Sequence, residues 1–539
     1  MDNPIFKKFL KGDVKGWLRE EILDLLPNPF LEDPISFIQK IKGEVIKESK
    51  LRFAAIFILP NGRRFFFKRD ITKGWFESLK YIFLPTKARK EWFIAYQSQK
   101  RNLNIPQPLG WMEKVHWGFV KESYYLSEAI GSGVSLIEDF EILKETLSMD
   151  ELVKRVRGIH DAGLFHKDLH AGNFLWDGQS LFITDLHRAK IVRTLSLNQR
   201  LWNLSQLFHS LRPIWEDGDH LRFIEKYFEG NPFYLQKKGE LLQKIHFLMD
   251  HLQKRQWRSR TKRCQKESTE FSILKERGIH YYHRRDFPLD HLRKVIEEHL
   301  RLARERPSAL VKQSSEVLVS ILNDGSNRIC VKQFRYPLFL NSFKEHFRRS
   351  KGLKSWVAGN GLITRGIPSL KPMALMESRK WLGLRESFFL IEASETGQEL
   401  DRYILKGFED FKEKSLFIKA FAQWLAHFHK MGLFHRDMKT CNILASKSRA
   451  SWNFHLLDLE DVLLDERMGE IKLFRNFLQL NTSTPKIITK AGRFRFFKEY
   501  LSLNPIIKNQ KAFLKRLMKE SRRRGLVYVS PQGVVVEKL

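Results

Sequence analysis

Residues Gly163–Leu175 read GLFHKDLHAGNFL, and 269 positions further on Gly432–Leu444 read GLFHRDMKTCNIL. Outward from this pair the matches continue in the same order. Upstream, ESYYLSEA (Glu122–Ala129) matches ESFFLIEA (Glu386–Ala393) at an offset of 264, and so do the Lys68 and Lys332 strands and the pair Trp92 and Trp356. Downstream, ITDLH with Asp185 matches LLDLE with Asp458, and LRFIEKY (Leu221–Tyr227) matches FRFFKEY (Phe494–Tyr500), both at 273. A slow drift in offset with the order kept is the mark of an internal duplication with short insertions. The chain is one domain of about 250 residues written twice, within the usual domain size range.

Each copy opens with strand-like residues around a tight turn, Pro60-Asn61-Gly62 in the first and Asn323-Asp324-Gly325 in the second. Asn-Gly and Asp-Gly between apolar runs signal hairpins. Helical stretches at Lys87–Gln99 and about Lys351–Leu362 follow, then more strands, then the HxD segment, then mostly helix. The expected architecture is α+β: two tandem domains, each a small β-rich lobe followed by a larger helical lobe. The expected boundaries are a helical N-terminal extension over 1–40, a first domain over 41–250, a basic helical connector over 251–300 and a second domain over 301–539.

Composition narrows the class. Aromatic residues make up 13 % of 539 positions, 43 of them Phe, which excludes disordered and collagen-like chains. Three cysteines, Cys264, Cys330 and Cys441, form no CxxC pair, which excludes a disulfide framework and suits a reducing compartment. No apolar run approaches the roughly 18–20 residues of a membrane-spanning helix, and the N-terminus lacks a secretory pattern, so a cytoplasmic location is expected. Lys and Arg outnumber Asp and Glu by 95 to 62, a net charge of +33 that points to an anionic neighbour.

The repeated residues carry a specific chemistry. Each copy has a strand lysine, then H-x-D-x4-N, then a strand-terminal Asp: Lys68, His166, Asp168, Asn173 and Asp185 in the first; Lys332, His435, Asp437, Asn442 and Asp458 in the second. Phosphoryl transfer from ATP needs a cation on the α/β-phosphates, for which Lys68 and Lys332 serve. It needs hard oxygen ligands for Mg²⁺ (or Mn²⁺), matched by Asn173 with Asp185 and by Asn442 with Asp458. It also needs a carboxylate that takes the proton of the acceptor hydroxyl, the part that fits Asp168 and Asp437. His166 and His435 are expected to hydrogen-bond within this catalytic loop and position the Asp. His160 and His429, six residues upstream of each, read as helix-end or packing residues.

With these residues in place the arrangement resembles the protein-kinase fold, and in detail the bacterial lipopolysaccharide core kinases, the Kdo/heptose kinase family (WaaP-like). The closest match is HKDLHAGNFL followed by ITDLHRAKI, with His170 two positions after Asp168 and DLHRA (Asp185–Ala189) in place of the DFG of ordinary protein kinases; KEW (Lys90–Trp92) followed by IPQPLG (Ile105–Gly110) adds to it. The resemblance implies that Glu91 pairs with Lys68; Ser355 stands at the matching position, leaving Lys332 without an obvious partner. It implies hinges at LSEAI and LIEAS that hold adenine, opened by Glu128 and Glu392. Neither copy has a GxGxxG loop; VIKES and LVKQS precede the second strand instead, offering Lys47 and Lys312 to phosphate.

The implied function is ATP-dependent phosphorylation of a sugar hydroxyl, Kdo or heptose, in the lipopolysaccharide inner core. The implied partners are the lipid A–core acceptor and the anionic inner face of the inner membrane, where a basic peripheral enzyme gains roughly 1 kcal/mol per nearby cation. Two other readings stand beside it. One is a protein or small-molecule kinase of the same fold, which Lys439 favours for the second copy. The other is a nucleic-acid-binding protein on an inactive scaffold, permitted by KRQWRSRTKR (Lys254–Arg263) but opposed by the retained catalytic set.

Overall fold

The Lys68 strand sits inside a seven-stranded antiparallel sheet. In chain order its strands are β1 (Phe6–Lys11), β2 (Val14–Arg19), β3 (Glu44–Ser49), β4 (Arg52–Ile58), β5 (Arg64–Ile71), β6 (Pro108–His116) and β7 (Phe119–Glu128). In space the order is β1-β2-β6-β7-β5-β4-β3. Lys68 pairs in register with Ala54 of β4 and Tyr125 of β7. Side chains alternate faces along a strand, so Phe65 and Phe67 enter the buried side while Phe66 and Lys68 face the other. The buried side packs on Ile22, Leu26, Phe30 and Ile38 from the short helices and turn between β2 and β3. Phe30 and Phe57 have ring centroids 5.3 Å apart, Phe57 and Phe65 5.2 Å apart.

In this computed structural model the chain divides into two compact units, Met1–Gln253 and Lys254–Leu539. The structure describes residues 5–131, 135–138, 147–325, 327–336, 349–380, 383–448 and 451–538. The second unit has its own seven-stranded antiparallel sheet with the same connectivity. Its order is Phe271–Glu276, Ile279–Arg284, Pro372–Lys380, Gly383–Glu392, Asn327–Arg335, Val317–Asp324 and Lys312–Gln313. Lys332 pairs with Val319 and Phe389, positions matching those around Lys68. One side of this sheet buries Val331, Phe388 and Leu390 against Leu292, Val295 and Ile296 of the helix Leu289–Glu305.

After each sheet the chain is mostly helical. In the first unit the helices Met149–Asp161, Leu197–Leu211 and Asp217–Tyr227 enclose a core that includes Val156, Leu204, Phe208 and Phe223. In the second unit Phe411–Lys430, Glu470–Ser483 and Lys490–Leu503 do the same around Leu425, Phe477 and Tyr500. The helices expected after the lysine strands lie at Lys87–Gln99 and Lys351–Thr364. Gly62 and Gly325 adopt φ of 81° and 56° in the two hairpin turns, a region that favours glycine.

Two expectations about the segments preceding each sheet need correction. The stretch 1–40 is not a helical extension: residues 6–19 form the hairpin β1–β2, and helix is confined to Glu20–Leu23, Asn28–Glu32 and Pro34–Lys40. Val14, Gly16 and Leu18 are buried while Lys15 is exposed, a period of two. Gly16 is required there, since a Cβ would lie 2.3 Å from the Trp111 carbonyl oxygen. The stretch 251–300 is likewise not a helical connector throughout. Its helix ends at Thr261, and Phe271–Arg284 form a hairpin on the edge of the second sheet. The turn is Arg277-Gly278 with φ of 48° and 81°, both left-handed as a two-residue hairpin of this hand requires.

Candidate active site

In the first unit, β5, the helix Lys87–Gln99 and the HxD loop bring the expected residues to one cleft. Lys68 Nζ lies 3.0 Å from Glu91 Oε2 and 2.5 Å from Asp185 Oδ1. Glu91 is buried one turn into its helix, whose first turn is capped by Thr86 accepting from the Arg89 N–H. His187 Nδ1 lies 2.8 Å from the same Asp185 oxygen. Burial pulls the Lys68 ammonium down, but Glu91 and Asp185 outweigh it and raise the pKa. For Asp185, burial raises the carboxyl, while the His187 hydrogen bond and Lys68 hold it well below the carboxylate range. The cluster therefore keeps Lys68 positive and Asp185 negative. Asp185 also has φ of 60°, a left-handed conformation uncommon for a residue with a side chain and typical of functional turns.

The HxD loop is pinned from below. The His166 imidazole accepts at Nδ1 from the Asp168 N–H at 3.2 Å, and its Nε2 donates to the Asp185 carbonyl oxygen, also at 3.2 Å. His166 thus ties the Asp168 loop to the Asp185 loop. Burial lowers its pKa, consistent with a neutral ring. Asn173 Nδ2 donates to the Asp168 carbonyl oxygen at 2.8 Å. The Asp168 carboxylate is 41 % exposed and forms an ion pair with Arg188.

A cavity of about 280 Å³ opens beside these groups. Ile56, Phe66, Ile105, Leu175 and Ile183 give it apolar walls, Ser127–Ile130 line it too, and Lys47, Lys68 and Asp185 add charged groups. Apolar walls with a few charged groups among them suit a nucleotide. Asn173 Oδ1 and Asp185 Oδ2 have no hydrogen-bond partner among the described residues, so two hard oxygens are available for a divalent cation. The residues present thus fit both ATP and its metal. Glu128, expected to open the hinge, pairs with Arg63 at 3.0 Å.

The second unit repeats the geometry with one exchange. Lys332 Nζ lies 2.6 Å from Asp458 Oδ1 and 2.8 Å from Glu460 Oε1. Ser355, at the position of Glu91, donates its hydroxyl to Glu460 Oε2 at 3.1 Å. The carboxylate missing from the helix is supplied two residues after Asp458, where the first unit has His187. Lys332 is therefore not unpartnered, which corrects the expectation drawn from Ser355. Burial lowers the Lys332 ammonium, and Glu460 and Asp458 more than offset it. For Asp458, burial raises the carboxyl, while Lys332 and then Lys312 hold it below the usual range. Asp458 has φ of 45°, matching Asp185. His435 accepts from the Asp437 N–H at 3.1 Å, Asn442 Nδ2 donates to the Asp437 carbonyl oxygen at 2.8 Å, and Lys439 Nζ lies 3.1 Å from Asp437 Oδ1. Glu392, expected to open the second hinge, accepts from the Lys371 N–H at 3.3 Å.

Sequence reasoning missed a set of buried and half-buried residues under both loops. Asn203 Nδ2 donates to the His166 carbonyl oxygen at 2.5 Å, Gln206 donates to the Lys167 carbonyl oxygen and accepts from the Leu169 N–H, and Ser210 accepts from the Ala171 N–H. Asn476, Gln479 and Ser483 make the corresponding contacts to His435, Arg436, Met438 and Thr440. His160 bridges Tyr227 and Asn203, and His429 bridges Tyr500 and Asn476, so these histidines are network members rather than simple packing residues. The signal was present as N-x2-Q-x3-S in both copies at the offset of 273.

The chain matches the family model described as lipopolysaccharide kinase (Kdo/WaaP) family over residues 38–227 and 332–500. No curated protein matches it. Among solved structures it is similar to "WaaP in complex with acyl carrier protein", with 20 % identity, a TM-score of 0.33, and coverage of 44 % of this chain and 98 % of that one.

Proposed function

Since this chain belongs to the lipopolysaccharide kinase (Kdo/WaaP) family, we propose that it phosphorylates a sugar hydroxyl, of Kdo or heptose, in the lipopolysaccharide inner core. The observation that carries the reading is Lys68, held between Glu91 and Asp185 in a cleft with apolar walls, with an exposed Asp168 on the HxD loop. ATP, when bound, supplies the phosphoryl group. Lys68 neutralises phosphate charge, with Lys47 beside it. Asn173 and Asp185 hold the divalent cation, Mg²⁺ in this reading. Ser127–Ile130 meet the base. Asp168 orients the acceptor hydroxyl and takes its proton, exchanging its contact with Arg188 for the sugar; Arg188 then faces the anionic acceptor.

In this reading the molecule is two tandem kinase-like domains. The second assembles a Lys–Asp–Glu cluster of its own, and Lys439 beside Asp437 favours phosphoryl transfer there to an acceptor of a different kind. The net charge of +33 supports action at the anionic membrane face where the acceptor grows. No helix among the described residues is long and apolar enough to cross a membrane. The test is purified full-length protein with γ-labelled ATP and deacylated lipopolysaccharide, beside generic protein acceptors. Label in the core oligosaccharide, lost on Asp168→Ala, supports the proposal. Label only in protein, or none in either acceptor, overturns it.

A further inference from the structure

A second cavity, of about 430 Å³, lies in the second unit and is lined in part by Glu460 of the Lys332 cluster. Six cationic side chains line it, Arg258, Lys262, Arg349, Lys354, Arg365 and Arg436, against only Glu460 and Asp465. Both acids are already engaged. Asp465 accepts from Arg258 at 2.9 Å and from Arg365 at 2.6 Å, and Glu460 is held by Lys332 and Ser355. Arg436 turns to Asp461 and to the Glu460 carbonyl oxygen. Lys262, Arg349 and Lys354 have no acidic partner among the described residues. Arg365 is fully buried, and its Nε has no hydrogen-bond partner there. Cations gathered in a concave site repel one another and are tolerated at such density when an anion joins them.

From this arrangement we propose that the cavity is a binding site for a phosphate group, as free phosphate or as a sugar phosphate monoester. Arginine matches the oxygens of a phosphate with parallel N–H donors, and lysine adds point charge, giving short charge-assisted hydrogen bonds. A cavity of this size admits a phosphate with a sugar attached. The site is coupled to the catalytic one by shared residues. Lys354 and Ser355 are neighbours on the helix Lys351–Thr364, Ser355 bonds Glu460, and Arg436 immediately precedes Asp437. A bound phosphate spans the helix and the HxD loop of the second unit and fixes one against the other. The inference stands on this unit's charge and shape, and does not depend on which acceptor the first unit uses.

The experiment is calorimetric titration of the full chain at constant ionic strength, with a non-hydrolysable ATP analogue saturating the nucleotide clefts. Inorganic phosphate and glucose 1-phosphate are titrated in turn, and chloride is the control. The expected result is saturable binding, weakened by roughly tenfold or more in Lys262→Gln/Arg349→Gln, which removes two charge-assisted contacts, and unchanged in Asp168→Asn. Lys354→Gln, tested separately, keeps the comparison open if the double variant does not fold. Tighter binding of the sugar phosphate identifies the monoester as occupant, and equal binding identifies phosphate alone. Failure to saturate, or binding that both pocket variants leave unchanged, overturns the inference. Because the readout is heat of binding, a negative result here is distinct from absence of kinase activity.

Discussion

Lys332 Nζ and Glu460 Oε1 stand 2.8 Å apart, so the second unit completes its lysine cluster with a carboxylate from the loop after Asp458. The first unit uses Glu91, 23 residues after Lys68 on a helix. The two solutions put one negative charge at the same place by different routes: a helix Glu with a loop His, or a helix Ser with a loop Glu. The lysine needs that charge because burial alone would pull its ammonium down. Glu460→Gln should therefore weaken nucleotide binding at the Lys332 cluster by roughly tenfold, the scale of one charge-assisted hydrogen bond. The exchange Ser355→Glu with Glu460→His should recover much of it. A fluorescent nucleotide titrated into a Lys68→Met background reads this; an unchanged affinity in Glu460→Gln refutes the exchange.

Asp168 is exposed, and among the described residues its carboxylate pairs only with Arg188, so its loss should leave the fold intact. Asp168→Asn should reduce transfer to core acceptor by about 10²- to 10⁴-fold, the usual share of a positioned general base, with a melting temperature close to that of the parent. Asp437→Asn in the same assay tells whether the second unit contributes. A melting temperature that falls along with activity would mean that Asp168 is structural.

The two network histidines set an acid limit on stability. Burial lowers the His160 pKa to about 3, with Arg200 adding to the effect, and burial lowers that of His429 to about 4. In the unfolded chain a histidine titrates near 6.5. Between these values the unfolded state binds more protons, so stability is full above pH 6.5 and falls as pH drops toward 4. Chemical denaturation at pH 7.5 and pH 5 should show this loss, and His160→Gln with His429→Gln should reduce its slope. An equal slope in the double variant would place the acid sensitivity elsewhere.

The buried asparagines beneath the HxD loops should matter more than their position on helices far along the chain suggests. Asn203→Ala strips donors and acceptors from His166 and His160 at once, leaving buried polar groups unpaired. A penalty of about 1–3 kcal/mol for each group left unsatisfied is expected. Loss of amide protection at His166 in hydrogen exchange would register it; retained protection would show that water or a neighbour substitutes.

These asparagines also mark what was legible in the sequence. The duplication, the lysine strands and the HxD-x4-N segment were readable because local spacing fixes them: a strand period places Lys68 away from Phe65 and Phe67, and a short loop carries Asp168 to Asn173. Glu460 was not readable as the Lys332 partner, because only the folded approach of the Asp458 loop to the helix brings it there. The β1–β2 hairpin was missed since Phe6, Leu10, Trp17 and Leu18 fit a helical face as well as a strand, and burial of Val14, Gly16 and Leu18 decides between them. The edge hairpin at 271–284 was hidden by a basic run before it, and its Arg277-Gly278 turn is a weaker signal than Asn-Gly.

The glycine that opens each GLFH segment offers a comparison within one chain. Gly163 and Gly432 both have left-handed φ, 79° and 70°, so any side chain is strained at either place. Their surroundings differ. A Cβ on Gly163 would meet the Val192 carbonyl oxygen at 2.1 Å, whereas on Gly432 it would lie 3.1 Å from the Glu466 carbonyl oxygen. Alanine should cost about 1–2 kcal/mol at Gly432, the price of the left-handed conformation alone. At Gly163 the backbone contact must also give way, opening the Val192 N–H bond to the Gly163 carbonyl oxygen. Gly163→Ala should thus destabilise the first unit clearly more than Gly432→Ala destabilises the second. Since two units need not unfold together, limited proteolysis with peptide mapping separates them. Equal protection of both units in the two variants would show that the segment at Val192 yields without loss.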